Sequence, residues 1–205
     1  MENHQLKKVG IFGGSFDPIH FGHLAIALAL KEAHKLDEVL FIPANVNPKK
    51  QESVLTPAEH RLNMLKIALK DVPGCTVSTI ELDREGPSYM VDTLQELKKK
   101  RAYKNCALYL LMGEDLLSQF SEWKEPHEIA SLSQPLVARR HGVGFFGAWF
   151  EDPILKPIVF KGLTDTPLFD ISSTDIRKRI KEDLYCGHLV DKEVLRYIKQ
   201  HKLYV

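Results

Sequence analysis

The chain has 205 residues, 44% of them hydrophobic, and 28 basic side chains stand against 27 acidic ones. That length and apolar share suit one α/β domain over residues 1–205, with a small helical part at about 171–205. The net charge of +1 advertises neither a nucleic-acid surface nor a membrane surface. Cys75, Cys106 and Cys186 are scattered and odd in number, which fits a reduced compartment better than a disulfide framework. Met1 to Lys8 lacks the apolar core of a signal peptide, and no apolar run is long enough to span a bilayer. A cytoplasmic chain with no membrane and no nucleic-acid partner is the expectation.

Val9, Ile11 and Phe12 predict a buried strand, and Leu24 to Leu30, rich in strong helix formers, predict a helix. Between them Gly13-Gly14-Ser15-Phe16-Asp17-Pro18-Ile19-His20-Phe21-Gly22-His23 forms a strand-to-helix turn. Such a turn brings backbone N–H groups and a helix dipole to an anion. If the helix begins near Gly22, His20 and His23 lie over the same turn, with a small residue between them. The turn is neither a dinucleotide fingerprint nor a P-loop. Two histidines with no cysteine or carboxylate at ligand spacing do not complete a zinc site, so no protein-held metal is expected.

Val39 to Ile42 predict a second buried strand, ended by Pro43. The polar loop from Ala44 to Gln51 contains Lys49 and Lys50; it suits either a phosphate or plain solvation. Thr56, Pro57 and Glu59 together signal a helix start, with Thr56 as the cap. Leu62, Leu65, Ile67 and Leu69 give it apolar residues, while Arg61 either reaches the site or is exposed. Thr76 to Ile80 read as a strand from their β-branched residues. Ser88 suits a helix cap before the stripe of Val91, Leu94 and Leu97. Ala107 to Met112 are the clearest buried strand, with Gly113-Glu114-Asp115 at its carboxyl edge. Asp115 there either accepts ribose hydroxyls or caps the short helix Leu116–Phe120.

Trp123 either stacks on a flat ligand or lies half-buried against the domain. Leu136 to Ala138 predict a strand running into Arg139 and Arg140, a pair that meets phosphate or solvates a strand end. The glycine-rich aromatic segment 142–150 suits a lid, a packed segment or a dimer surface, which keeps a homo-oligomer open. Ile158-Val159-Phe160 read as the last strand. Ile171-Ser172-Ser173-Thr174-Asp175-Ile176-Arg177 predict a helix capped by Ser172 or Ser173, with Arg177 one turn in, a second anion site. Asp191 to Leu203 read as a closing helix with Val194, Leu195 and Ile198 inward and Tyr197 beside them.

The two terminal motifs, Gly13 to His23 and Ile171 to Arg177, resemble those of bacterial nicotinate-nucleotide adenylyltransferases, in the nucleotidylyltransferase superfamily that carries an H-x-G-H signature. Pro87-Ser88-Tyr89, Asp92-Thr93-Leu94, Gly113-Glu114-Asp115, Trp123 and Leu189 to Tyr204 fall in matching order. The resemblance implies a Rossmann-like α/β nucleotidylyltransferase fold, a mostly parallel sheet with helices on both faces. It implies adenylyl transfer from ATP to nicotinate mononucleotide, giving deamido-NAD and pyrophosphate in NAD biosynthesis. His20, His23 and Arg177 would be catalytic. Gly13, Gly14, Ser15, Phe16, Gly113, Asp115, Arg139, Ile171, Ser172 and Ser173 would bind ATP with them. Asp17, Lys49, Ser88, Tyr89, Met90 and Trp123 would meet the pyridine nucleotide. Mg²⁺ would bridge ATP phosphates and water with few direct protein ligands.

Two positions depart from the family pattern. Asn47-Pro48-Lys49-Lys50 stands where the family reads Pro-Pro-His-Lys or Pro-Pro-His-Arg, so Lys49 replaces a histidine. Met90 stands where a threonine is usual, which removes a hydroxyl near the expected nicotinate carboxylate. The competing readings are a phosphopantetheine adenylyltransferase or cytidylyltransferase, and a nucleotide-binding regulator without catalysis.

Overall fold

The computed structural model describes residues 6–46, 55–140, 151–167 and 170–205. Among them, six strands form one fully parallel sheet in the order β3-β2-β1-β4-β5-β6. The strands are β1 (Lys8–Gly14), β2 (Glu38–Pro43), β3 (Cys75–Val77), β4 (Ala107–Gly113), β5 (Gln134–Arg140) and β6 (Leu163–Thr166). This is the doubly wound order, with the chain reversing direction across the sheet between β1 and β4. Ligands of such sheets bind outside the carboxyl ends of the strands at that switch point, which is where Gly13-Gly14 and Gly113 lie.

Alternation along the strands divides the core into two layers, because successive side chains of a strand point to opposite faces. Val9, Ile11, Leu40, Ile42, Leu108, Leu110, Met112 and Val137 share one buried cluster. It is covered by α3 (Met90–Lys99), α4 (Leu117–Phe120), α5 (Pro126–Leu132) and α6 (Leu155–Lys161). Phe12, Val39, Phe41, Leu111, Leu136 and Ala138 share the other. Over that face pack α1 (Phe21–His34), α2 (Ala58–Leu69), α7 (Ser173–Lys181) and α8 (Lys192–Gln200). The strands are buried on both sides, which is why they read as continuous apolar runs. Among the described residues no helix is long and apolar enough to cross a membrane.

Several local expectations need correction. Ile158-Val159-Phe160 lie in α6, and the last strand is Leu163–Thr166. The β-branched pair suggested a strand, but Leu155 and Val159, four apart, bury one helical face against the core. Strand β3 stops at Val77, short of Ile80. Thr56 does not cap α2, whose start has no side-chain cap; its backbone N–H instead donates to Asp17 Oδ2 at 3.2 Å. Ser88 does not cap α3; its Oγ accepts from Asn45 N–H at 2.9 Å and so ties the end of β2 to the start of α3. Asp115 lies within a 3-10 turn, Glu114–Leu116, and caps nothing. The segment 142–150 lies outside the described residues.

Candidate active site

The turn after β1 is assembled from its own residues and then clamped from outside. Phe16 adopts a left-handed backbone, φ 48°, and is only 1% exposed. Such a conformation costs a non-glycine residue about 1–3 kcal/mol and persists where surroundings impose it. Here the Phe16 ring meets Phe12 edge-on at 5.8 Å and His23 at 5.1 Å. His20 precedes α1 in an extended conformation, and its backbone N–H donates to His23 Nδ1 at 3.3 Å. That contact makes Nδ1 of His23 an acceptor and leaves its proton on Nε2. The His20 and His23 rings stack with centroids 3.7 Å apart. Gly22 permits this: a Cβ there would come within 3.0 Å of His20 Nδ1 and 3.4 Å of Ile171 Cβ. Nδ1 of His20 is buried and finds no hydrogen-bond partner among the described residues. Burial pushes the His20 pKa down to about 4, so its ring is neutral at pH 7.

The distant motif closes on this turn. Arg177 Nη1 donates to the Asp17 carbonyl at 2.7 Å, and Ser173 Oγ donates to the Pro18 carbonyl at 2.9 Å. Phe21 N–H donates to Leu189 O at 3.0 Å. Ser172 is the cap of α7: its Oγ accepts from Asp175 N–H at 3.1 Å and donates to Asp175 Oδ2 at 2.8 Å. Both serine hydroxyls of the motif are therefore engaged within the protein in this state, Thr174 Oγ1 accepts from Arg177 Nη2 at 3.3 Å, and Arg177 is the group that brings positive charge to the turn.

The family model described as cytidylyltransferase-like matches residues 11–179, the span that begins in β1 and ends in α7. A probable nicotinate-nucleotide adenylyltransferase of Thermomicrobium roseum is 41% identical over 201 residues, which covers 97% of this chain and 92% of the relative. The nicotinate-nucleotide adenylyltransferase of Bacillus subtilis is 36% identical over 97% of the chain and 99% of its own length. The chain belongs to this family. A solved structure, Plasmodium falciparum nicotinic acid mononucleotide adenylyltransferase complexed with NaAD, shares the fold with a TM-score of 0.74 at 19% identity, covering 97% of both chains.

The remaining residues on and around the turn fall into three groups. Asp115 is exposed at the end of β4, with a carboxylate oxygen 2.5 Å from where a Cβ on Gly113 would lie. The Met90 methyl occupies the space over Gly13, 2.7 Å from where its Cβ would be. Tyr89 and Trp123 are half-buried at the edge of the same core cluster as Met90. Phe120 supports Trp123 edge-on at 5.4 Å, and Lys124 Nζ lies 4.8 Å from the Tyr89 ring centre while pairing with Asp92 at 2.9 Å.

A second group is either engaged within the protein or outside the described residues. Asp17, expected to meet substrate, is 3% exposed, and its carboxylate accepts from Tyr204 and Thr56 inside the protein. Arg139, expected beside ATP, pairs through Nε with Asp165 Oδ1 at 2.6 Å, its neighbour across β5 and β6. Lys49 lies outside the described residues.

In the third group, the sequence leaves Arg61 either a site residue or an exposed one, and does not single out Glu81 or Tyr204. Arg61 is 1% exposed and donates to Ser15 O and Thr56 O, each at 2.9 Å. The signal was available: Arg61, Leu65 and Leu69 repeat every four residues along the buried face of α2. Glu81, 3% exposed, takes a hydrogen bond of 2.7 Å from Thr93 beneath the start of α3. Burial pushes its carboxyl up, while Thr93, Ser88 and the Arg84 charge pull it back. Tyr204 gave no local signal, since its partner is 187 residues away. A cavity of about 630 Å³ between α2 and α8, lined by Lys70, Asp71, Glu193 and Arg196 among others, includes none of the expected site residues.

Proposed function

We propose that this chain transfers the adenylyl group of ATP to nicotinate mononucleotide, forming deamido-NAD and pyrophosphate. The observation that carries the reading is the 2.7 Å bond from Arg177 to the Asp17 carbonyl, which sets a fixed cation against the turn holding the stacked His20 and His23 rings. The family membership of the whole chain supports the substrate pair.

An oxygen of the mononucleotide phosphate attacks the α-phosphorus of ATP. The bond from that phosphorus to the oxygen bridging to the β-phosphate breaks, and pyrophosphate leaves with those electrons. No protein nucleophile enters, so the protein contributes alignment and charge stabilisation. His23 donates through Nε2 to phosphate oxygen. His20, neutral in the free protein, gains proton affinity as anionic oxygens approach its ring. Arg177 holds the departing pyrophosphate, with Ser172, Ser173 and Ile171 beside it. Backbone at Gly13, Gly14, Ser15, Phe16 and Gly113 lines the nucleotide, and Asp115 accepts from its ribose. Trp123 stacks on the pyridine ring, with Ser88, Tyr89 and Met90 around its carboxylate. The turn presents nitrogen donors, which suit phosphate and not a hard cation, so Mg²⁺ would be held by ATP oxygens and water. Bound there, it would neutralise charge on the triphosphate.

The test is pyrophosphate release from ATP with nicotinate mononucleotide, its amide and phosphopantetheine offered separately. Release with the acid at a kcat/KM at least tenfold above the amide is expected. Release with phosphopantetheine alone overturns the substrate assignment, and no release with any of the three favours a binding protein.

A further inference from the structure

Asp17 is a buried carboxylate inside the turn after β1, and its two oxygens are taken up by protein donors. The Tyr204 hydroxyl donates to its Oδ1 at 2.7 Å, and Thr56 N–H donates to its Oδ2 at 3.2 Å. The backbone carbonyl of the same residue accepts from Arg177 at 2.7 Å. Asp17 thus joins Tyr204 on its side chain to Arg177 on its main chain. Arg177 is also close enough to Tyr204 for its charge to act on the phenol. Arg61 is near enough to balance the carboxylate charge, and its own donors are directed to Ser15 O and Thr56 O.

We propose that Tyr204 is a positioning residue for Arg177 in the adenylyl transfer: by occupying Asp17 Oδ1, it keeps the guanidinium on the Asp17 carbonyl and turned toward phosphate. This rests on the reading given under Proposed function. A buried carboxylate that loses a donor recruits the nearest cation, since an unpaired charge in the interior is costly. Two guanidinium groups lie by Asp17, and Arg61 already commits Nε and Nη1 to Thr56 O and Ser15 O, so without the phenol the group drawn in is Arg177, one bond away on the Asp17 carbonyl. A carboxylate–guanidinium pair would draw it off the carbonyl and neutralise the charge that pyrophosphate meets. Burial and the Asp17 charge push the Tyr204 phenol far up, so it remains a donor across the working pH range. A displacement of about 1 Å in a reacting group costs roughly 100-fold in rate, so the expected effect is large for a single hydrogen bond.

Tyr204→Phe keeps the ring and removes only the donor. The expected result is a loss of about 10- to 100-fold in kcat, with KM for nicotinate mononucleotide within threefold of wild type. Combined with Arg177→Lys, it should add little to the loss from Arg177→Lys alone, because both act through one group. A kcat for Tyr204→Phe within twofold of wild type overturns the proposal, as do losses that simply multiply. Should Tyr204→Phe not fold, Asp17→Asn still offers Tyr204 an oxygen. It also leaves no carboxylate to draw Arg177, so it is expected to keep at least a fifth of wild-type kcat, and Tyr204→Phe added to it is expected to cost less than threefold further; a tenfold loss at either step overturns the proposal. If wild type shows no turnover, the functional reading fails by itself. Calorimetric binding of pyrophosphate then decides the positioning role: at least fivefold weaker binding to Tyr204→Phe supports it, and equal binding overturns it.

Discussion

His20 is 6% exposed, and burial brings its pKa to about 4, whereas an unfolded imidazole titrates near ~6.5. Between those values the unfolded chain binds a proton that the folded chain does not. Stability therefore rises with pH across that window and is level above it. The contribution lost by pH 4 is roughly 3 kcal/mol. His34, lowered by burial and by Lys8, adds a slope of the same sign. His20→Gln should thus flatten the dependence in part; an unchanged difference between urea unfolding at pH 4.5 and pH 7 would contradict the burial argument. At Trp123 the ring meets Phe120 edge to face while the residue stays half-buried. Trp123→Ala should raise KM for the pyridine nucleotide at least tenfold and leave KM for ATP within twofold; equal rises would make it a packing residue. At Met90 the expected loss of a hydroxyl takes physical form as a methyl over Gly13. Met90→Thr should widen the preference for acid over amide in kcat/KM by about threefold or more, and no change would remove that position from the specificity.

Helix α7 is short, nine residues, and carries Arg177 one turn from its start. Its geometry depends on the Ser172 cap, whose replacement by alanine costs about 0.5–2 kcal/mol. Ser172→Ala should lower Tm and lower kcat together, because fraying at the first turn releases both Arg177 and the Ser173 bond to Pro18. A drop in Tm with full kcat at low temperature would separate the cap from the chemistry. Elements were legible where a local pattern carried them. The β4 run from Ala107 to Met112 and a serine cap at 172 or 173 are short-range signals, and both match the structure, which selects Ser172. Residues 158–160 misled because β-branched side chains favour a strand in isolation, and only packing of Leu155 and Val159 against the core overrides them. Thr56 and Ser88 misled for a related reason: each looks like a cap, yet each is taken up by a partner tens of residues away.

Across the whole molecule, a parallel α/β sheet with helices on both faces was legible from the strand runs and terminal motifs, whereas the strand order, which brings the ends of β1 and β4 side by side, came only with the structure. The clamps on the turn were not legible. Arg61 at 46 residues' distance from Ser15, Arg177 at 160 from Asp17 and Tyr204 at 187 from Asp17 are chosen by the finished fold alone. Those separations carry a consequence for synthesis. At about 5–20 residues per second, a ribosome needs on the order of 10–40 s to travel from Asp17 to Tyr204. Throughout that interval the nascent polypeptide carries an imidazole pair whose turn still lacks its last clamp, Tyr204. The emerging protein should therefore stay silent toward its nucleotides until residue 204 clears the exit tunnel, a built-in delay between manufacture and work.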